Sequence, residues 1–212
     1  MNCDPACQFL VFSNIAFGVA PFLLLASRDW KITHSNELIY ILSRIVLIWA
    51  SSVYHWCQSS SPSECMIPFQ QLYYLDVTAC VLAAHYAVCL DWNTSPLLSS
   101  IYAKSIPMIV PFIIPQILPT YDDTGNNSIY LVVVVGVIGL AVRYLTHGLR
   151  FSKHASILIA SSMAGGLFAL LFQYTLVFDL VYDVSHSLWH IFLAFSDIAV
   201  VFIFEYKPKQ IV

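Results

Sequence analysis

Apolar residues run in seven long stretches along the chain, near 8–27, 37–57, 66–90, 97–119, 128–147, 154–177 and 184–205. Each approaches the roughly 20 residues that a helix needs to cross the hydrocarbon core of a bilayer. The runs are too long and too uninterrupted for barrel strands. The pattern predicts an all-α membrane protein, a seven-transmembrane helix bundle that forms a single domain over residues 1–212. The connections are short, so successive helices are expected to be antiparallel neighbours.

Composition points the same way. Of 212 residues, 59% are hydrophobic and 10% are charged, whereas soluble domains are nearer half apolar and a quarter charged. A soluble globule of this length could not hide so much apolar surface. A net charge of -3 gives no basic footprint, so nucleic acid is not an expected partner. Disorder is excluded by the same composition.

The basic residues set an orientation. Arg28 and Lys31 fall between stretches one and two, Arg150 and Lys153 between five and six, and Lys207 and Lys209 after the seventh. In a seven-span bundle these points share one side. The other side has no Lys or Arg in its loops but carries Asp4, Glu64, Asp122, Asp123, Asp179 and Asp183. The positive-inside rule then puts the N-terminus outside and the C-terminus in the cytoplasm. No basic residue precedes Arg28, so the first stretch is expected to be a retained span rather than a cleaved signal peptide.

Cys3, Cys7, Cys57 and Cys65 all fall on the predicted outer side, where disulfides persist. Four cysteines allow three complete pairings, and the sequence does not choose among them. Cys80 and Cys89 lie within the third stretch and read as packing residues. The sequon Asn126-Asn127-Ser128 hugs the predicted outer surface too closely to be expected in use, and Asn93-Thr94-Ser95 falls on the cytoplasmic side.

Ionisable groups inside spans are costly and need a reason. His55 lies late in the outward-running second stretch, His186 and His190 open the inward-running seventh, and Asp76 is about 10 residues into the third. Four ionisable side chains are thus expected at similar depth in the outer half of one bundle. His186 and His190 are one helical turn apart and project from the same face. Most such pairs on helices are packing or hydrogen-bonding residues. A third imidazole and a carboxylate at matching depth favour a metal site instead. Three histidines leave a fourth position open, where zinc activates water. Asp76 could bind the metal directly or through that water. Ser51, one turn below His55, could bond the water or a substrate oxygen.

Two further ionisable residues share these stripes. Arg44 precedes His55 by 11 residues and Asp197 follows His186 by 11, close to three full turns. An Arg44–Asp197 structural pair beneath the histidines is expected, with separate snorkelling or carbonyl partners as the alternative. Lys104 and Arg143 sit near inner span ends and can reach headgroups. His85 reads as a polar packing residue, and His34, His147 and His154 fall on the cytoplasmic side. Pro107, Pro111, Pro115 and Pro119 recur every four residues in the fourth stretch. Each removes a backbone donor, so protein or water must satisfy the freed carbonyls. Ala160, Ser161, Ser162, Ala164, Gly165 and Gly166 give the sixth stretch a small-residue face. Such a face suits close helix packing within the chain or in a homodimer.

Seven spans, Ser51-x3-His55, Asp76 and His186-x3-His190 resemble the CREST superfamily, which includes alkaline ceramidases, adiponectin and progestin receptors and the transmembrane-8 branch. Tyr54-His55-x-Cys57, Ala141-Val142-Arg143, His186-Ser187-x-x-His190, the segment Ser13 to Pro21, and Asn36-Glu37 with the run that follows are most similar to the muscle-fusion proteins of that last branch. The resemblance implies zinc on the three histidines with Ser51 and Asp76 nearby, an extracellular N-terminus, and a multi-pass plasma-membrane protein that promotes myoblast fusion. Its implied partners are membrane lipids, a second copy of the chain and a small fusogenic membrane protein. The ceramidase branch implies a zinc-dependent lipid amide hydrolase instead, with Asp76 as general base and Ser51 helping to hold the oxyanion. A receptor reading has less support, because the outer loops are too short for a ligand domain. One departure stands out: the branch's vertebrate members end in a cysteine-rich tail, and this chain ends Lys207-Pro208-Lys209-Gln210-Ile211-Val212.

Overall fold

The computed structural model describes residues 5–27, 29–32, 35–59, 65–90, 97–118, 126–147 and 179–205, with isolated residues 157 and 164. Among them every regular element is helical. These are α1 (Pro5–Ser13), a 3₁₀ segment (Asn14–Gly18), α2 (Val19–Ser27), α3 (Ser35–Ser59), α4 (Phe69–Cys89), α5 (Leu97–Ile117), α6 (Asn126–His147) and α7 (Asp179–Glu205). Six of the seven apolar stretches are therefore helical. The sixth, near 154–177, lies outside the described residues apart from residues 157 and 164, and Arg28, His34, Glu64, Asp122, Asp123, Arg150, Lys153, His154, Lys207 and Lys209 lie outside them too. Four helices are long and apolar enough to cross a membrane: Cys7–Ser27, Ser35–Gln58, Phe69–Cys89 and Ser100–Ile117. Four such helices in one chain mark a polytopic membrane protein.

The chain divides into two compact units. One comprises residues 1–2 and 33–149, the other residues 3–32 and 150–212. In the first, α4 packs against α3, α5 and α6. Of its span, 61% is buried against 17% for α5, so α4 is the centre of this unit and α5 its edge. Its core joins Tyr54, Leu72, Tyr73, Val77, Val81, Val110, Ile114, Leu118 and Val135. The other unit packs α1, the 3₁₀ segment and α2 against α7.

Helix α3 shows how polarity is sorted. Leu38, Leu42, Ile45, Trp49 and Trp56 are exposed, as an apolar stripe facing hydrocarbon should be. Glu37, Arg44 and Ser51, spaced seven residues apart, are buried on another face together with His55. The Arg44 guanidinium lies 5.1 Å from the centre of the Tyr40 ring, a cation–π contact that holds the charge inside the protein.

Helix ends follow local chemistry. The third stretch becomes helical only at Phe69, not at residue 66, because Pro68 is extended (φ -53°, ψ 131°) and restricts the residue before it. Helix α2 stops where Asp29 (φ 50°) and Trp30 (φ 62°) turn left-handed. The Trp30 amide donates back to the Leu25 carbonyl at 2.8 Å, as a helix-terminating motif requires. Trp30 also packs edge-on against Phe22 at 5.3 Å.

The proline-rich helix α5 is satisfied in a specific way. Pro107 has no N–H to give to the carbonyl four residues earlier, that of Ala103. His85 of α4 supplies the missing donor, its Nε2 lying 3.2 Å from the Ala103 oxygen. His85 is completely buried and sits between Tyr86 and Tyr102. The Tyr102 hydroxyl in turn donates to the Val135 carbonyl of α6 at 2.9 Å. A methyl group on Gly139 would come within 2.6 Å of that hydroxyl, which is why glycine stands there.

The Ala103 bond makes a sharp prediction. His85→Ala should destabilise the protein by about 1–3 kcal/mol, the cost of a buried carbonyl left unpaired. Pro107→Ala should suppress much of that loss by restoring the helical N–H. Thermal unfolding of both single variants and the double variant in detergent measures the coupling. Additive effects would exclude the link.

Candidate metal centre

The residues singled out from the sequence fall into two groups, one in each compact unit. In the first unit, His55 is buried near the C-terminal end of α3. Its Nδ1 donates to Gln58 Oε1 at 3.1 Å. An amide oxygen only accepts, so the proton is on Nδ1 and the lone pair of the neutral ring is on Nε2. The Tyr54 ring packs at 4.8 Å. One turn back along α3, the buried Ser51 hydroxyl hydrogen-bonds to Asp76 of α4, and Cys80 Sγ lies 3.9 Å from Asp76 Oδ1. Ser51 and Asp76 are thus brought together across α3 and α4. Arg44 lies within electrostatic reach of Cys80, and so of this group.

A disulfide between Cys57 and Cys65 pins the turn of α3 that carries His55 and Gln58 to the segment leading into α4. This is one of the bonds that the sequence left open. Cys7 is also disulfide-bonded, and Cys3 lies outside the described residues. Cys80 and Cys89 are thiols inside α4.

In the second unit, His186 and His190 occupy successive turns of α7. Their ring centres are 4.7 Å apart at an interplanar angle of 83°. His190 is buried. Its Nδ1 is 2.8 Å from Ser13 Oγ, and the Phe17 ring lies 5.3 Å away. Ser187, between the histidines, is also buried and donates to the Asp183 carbonyl at 2.6 Å. Asp197 is buried two turns further along α7. Two imidazoles on one face of an apolar helix, with His190 held by a neighbouring hydroxyl, could serve as ligands to a metal ion.

Sequence reasoning missed several of these groups. Ser13 and Gln58 contact the imidazoles, yet as ordinary polar residues near helix ends they carry no motif. Glu37 is buried in the first turn of α3, where a carboxylate also complements the helix dipole. Asn14 is completely buried at the start of the 3₁₀ segment. Among the described residues, neither end of its carboxamide has a hydrogen-bond partner.

No protein-family model matches the chain, and no curated protein or solved structure matches it. The fold and the buried polar groups therefore define its class, a helical membrane protein with imidazoles set inside apolar helices.

Two predictions follow from the supports of this centre. Opening the Cys57–Cys65 bond by Cys57→Ser should cost about 2–3 kcal/mol, as expected for a loop of this size. Thermal melts with and without reductant would show it, and an unchanged midpoint would mean that the bond constrains nothing. Asn14→Leu should raise stability by about 1–3 kcal/mol by removing two buried, unpaired polar atoms. A lowered midpoint would show that the carboxamide is bonded in the membrane.

Proposed function

We propose that the chain is a seven-span plasma-membrane metalloprotein with its N-terminus outside and its C-terminus in the cytoplasm. We propose further that it is myomaker-like and promotes fusion between cells, as in the joining of myoblasts. The imidazoles of His55, His186 and His190, each able to offer one ring nitrogen, bind a single zinc ion in the outer half. The observation that carries the reading is the His186–His190 pair on one turn of α7, with its ring spacing of 4.7 Å. A buried imidazole is expensive in an apolar helix unless it has a partner. The asymmetric loop charges support the orientation. The motifs around His55 and His186 support the family reading.

Zinc in such a centre supplies a Lewis acid and ties its ligands' helices together, which stabilises the folded state by linkage. His55 offers Nε2 because Gln58 holds the proton on Nδ1. Asp76, already bonded by Ser51, contributes a carboxylate directly or through a water. Arg44 and Asp197 form a polar floor beneath. Membrane lipids, a second copy of the chain and a small fusogenic membrane protein are the partners that this function needs.

The Ser51–Asp76 bond favours one second reading, a zinc-dependent lipid amide hydrolase. There the Asp76 carboxylate would take a proton as general base and the Ser51 hydroxyl would help to hold the developing oxyanion.

Metal analysis of the purified full-length protein should find about one zinc per chain. A folded His186→Ala/His190→Ala variant should lack it. Wild type purified without chelator and free of metal would overturn the metal centre. Expressed in cells without their own fusogen, the chain should raise the number of multinucleated cells above control. No rise despite confirmed surface expression would overturn the fusion reading. Fatty-acid release from ceramide that is lost in Asp76→Ala would favour the hydrolase.

A further inference from the structure

The Ser13 hydroxyl makes two short contacts, 2.6 Å to the Leu10 carbonyl and 2.8 Å to His190 Nδ1. A serine hydroxyl has one proton to give and two lone pairs to receive with. The Leu10 carbonyl can only accept, so the hydroxyl proton is committed to it. The contact with His190 can then form only if the imidazole donates. His190 Nδ1 therefore bears the ring proton, and the lone pair of the neutral ring lies on Nε2. Ser13 and His190 are both buried, so water does not compete for either group.

We infer that Ser13 is a positioning residue that fixes the tautomer and ring plane of His190, presenting Nε2 for metal binding. Metal-ligating histidines generally give their second N–H to an acceptor of this kind, and its loss weakens binding by about 10- to 100-fold. The local fold is built to hold the hydroxyl in place. Ser13 is the last residue of α1, and the chain tightens into the 3₁₀ segment immediately after it. Phe17, four residues on, lies against the same imidazole. The ring of His190 is thus held at its edge by Ser13 and flanked by Phe17 and His186. The same bookkeeping gives His55 its Nε2 lone pair through Gln58, so both rings present the same nitrogen. The metal role of Ser13 rests on the centre proposed above; the tautomer assignment does not.

The experiment uses full-length protein in detergent. In ¹⁵N-histidine-labelled apoprotein, His190 should show a protonated Nδ1 and a bare Nε2. Its resonances are identified by their absence in His190→Ala. A protonated Nε2 in wild type would overturn the inference whatever the metal data show. Cobalt titration should then give an affinity about 10- to 100-fold lower in Ser13→Ala, with shifted visible bands. Ser13→Thr, which keeps the hydroxyl, should restore both. Wild-type affinity and an unchanged tautomer in Ser13→Ala would also overturn it. A wild type that binds neither cobalt nor zinc would sink the metal centre, while the nitrogen spectra would still decide whether Ser13 sets the tautomer.

Discussion

Hydrocarbon offers no hydrogen bonds, and every other feature of this protein answers to that constraint. A helix satisfies its own backbone, but its polar side chains and broken carbonyls need partners inside the protein. Many hydroxyls bond to their own helix. Ser43 donates to Tyr40, Thr78 to Tyr74, Thr146 to Val142 and Ser187 to Asp183. Groups that cannot do this are placed against a neighbouring helix. The carbonyl freed by Pro107 meets His85, and the Tyr102 hydroxyl meets the Val135 carbonyl.

The same constraint gives the buried imidazoles their meaning. His85 has a structural task, because a proline one helix away leaves a carbonyl to be satisfied. Gln58 and Ser13 instead hold the rings of His55 and His190 by Nδ1. Ring nitrogens held in this way leave the opposite nitrogen basic, as a metal centre requires. Ser51 and Asp76, joined across α3 and α4, add a hydroxyl and a carboxylate in a setting where both are costly to keep unless used. Together these features mark His55 and His190 as candidate ligands and His85 as a structural donor.

The supports are local and redundant. The Cys57–Cys65 bond clamps the end of α3 two residues after His55. The cation–π contact with Tyr40 keeps Arg44 inside. Close approach at Gly139 lets Tyr102 reach across to α6. In the other unit, the 3₁₀ segment between α1 and α2 sets Ser13 and Phe17 against α7.

The sequence by itself determined the helical class, the extent of most helices and the candidate ligand pair. Long apolar runs can satisfy their backbones in lipid only as helices, and a four-residue spacing places two histidines on one face. His85 could also be read from the sequence as a packing residue, since it lies nine residues from Asp76 on the same helix. Its actual partner could not, because the Ala103 carbonyl is 18 residues away and becomes needy only through Pro107. Tertiary structure alone decided that Cys57 pairs with Cys65, that Ser51 bonds Asp76, and that Ser13 reaches His190 across 177 residues of chain. A hydrogen bond between distant residues depends on distances of a few tenths of an ångström, and no periodicity along the chain encodes them.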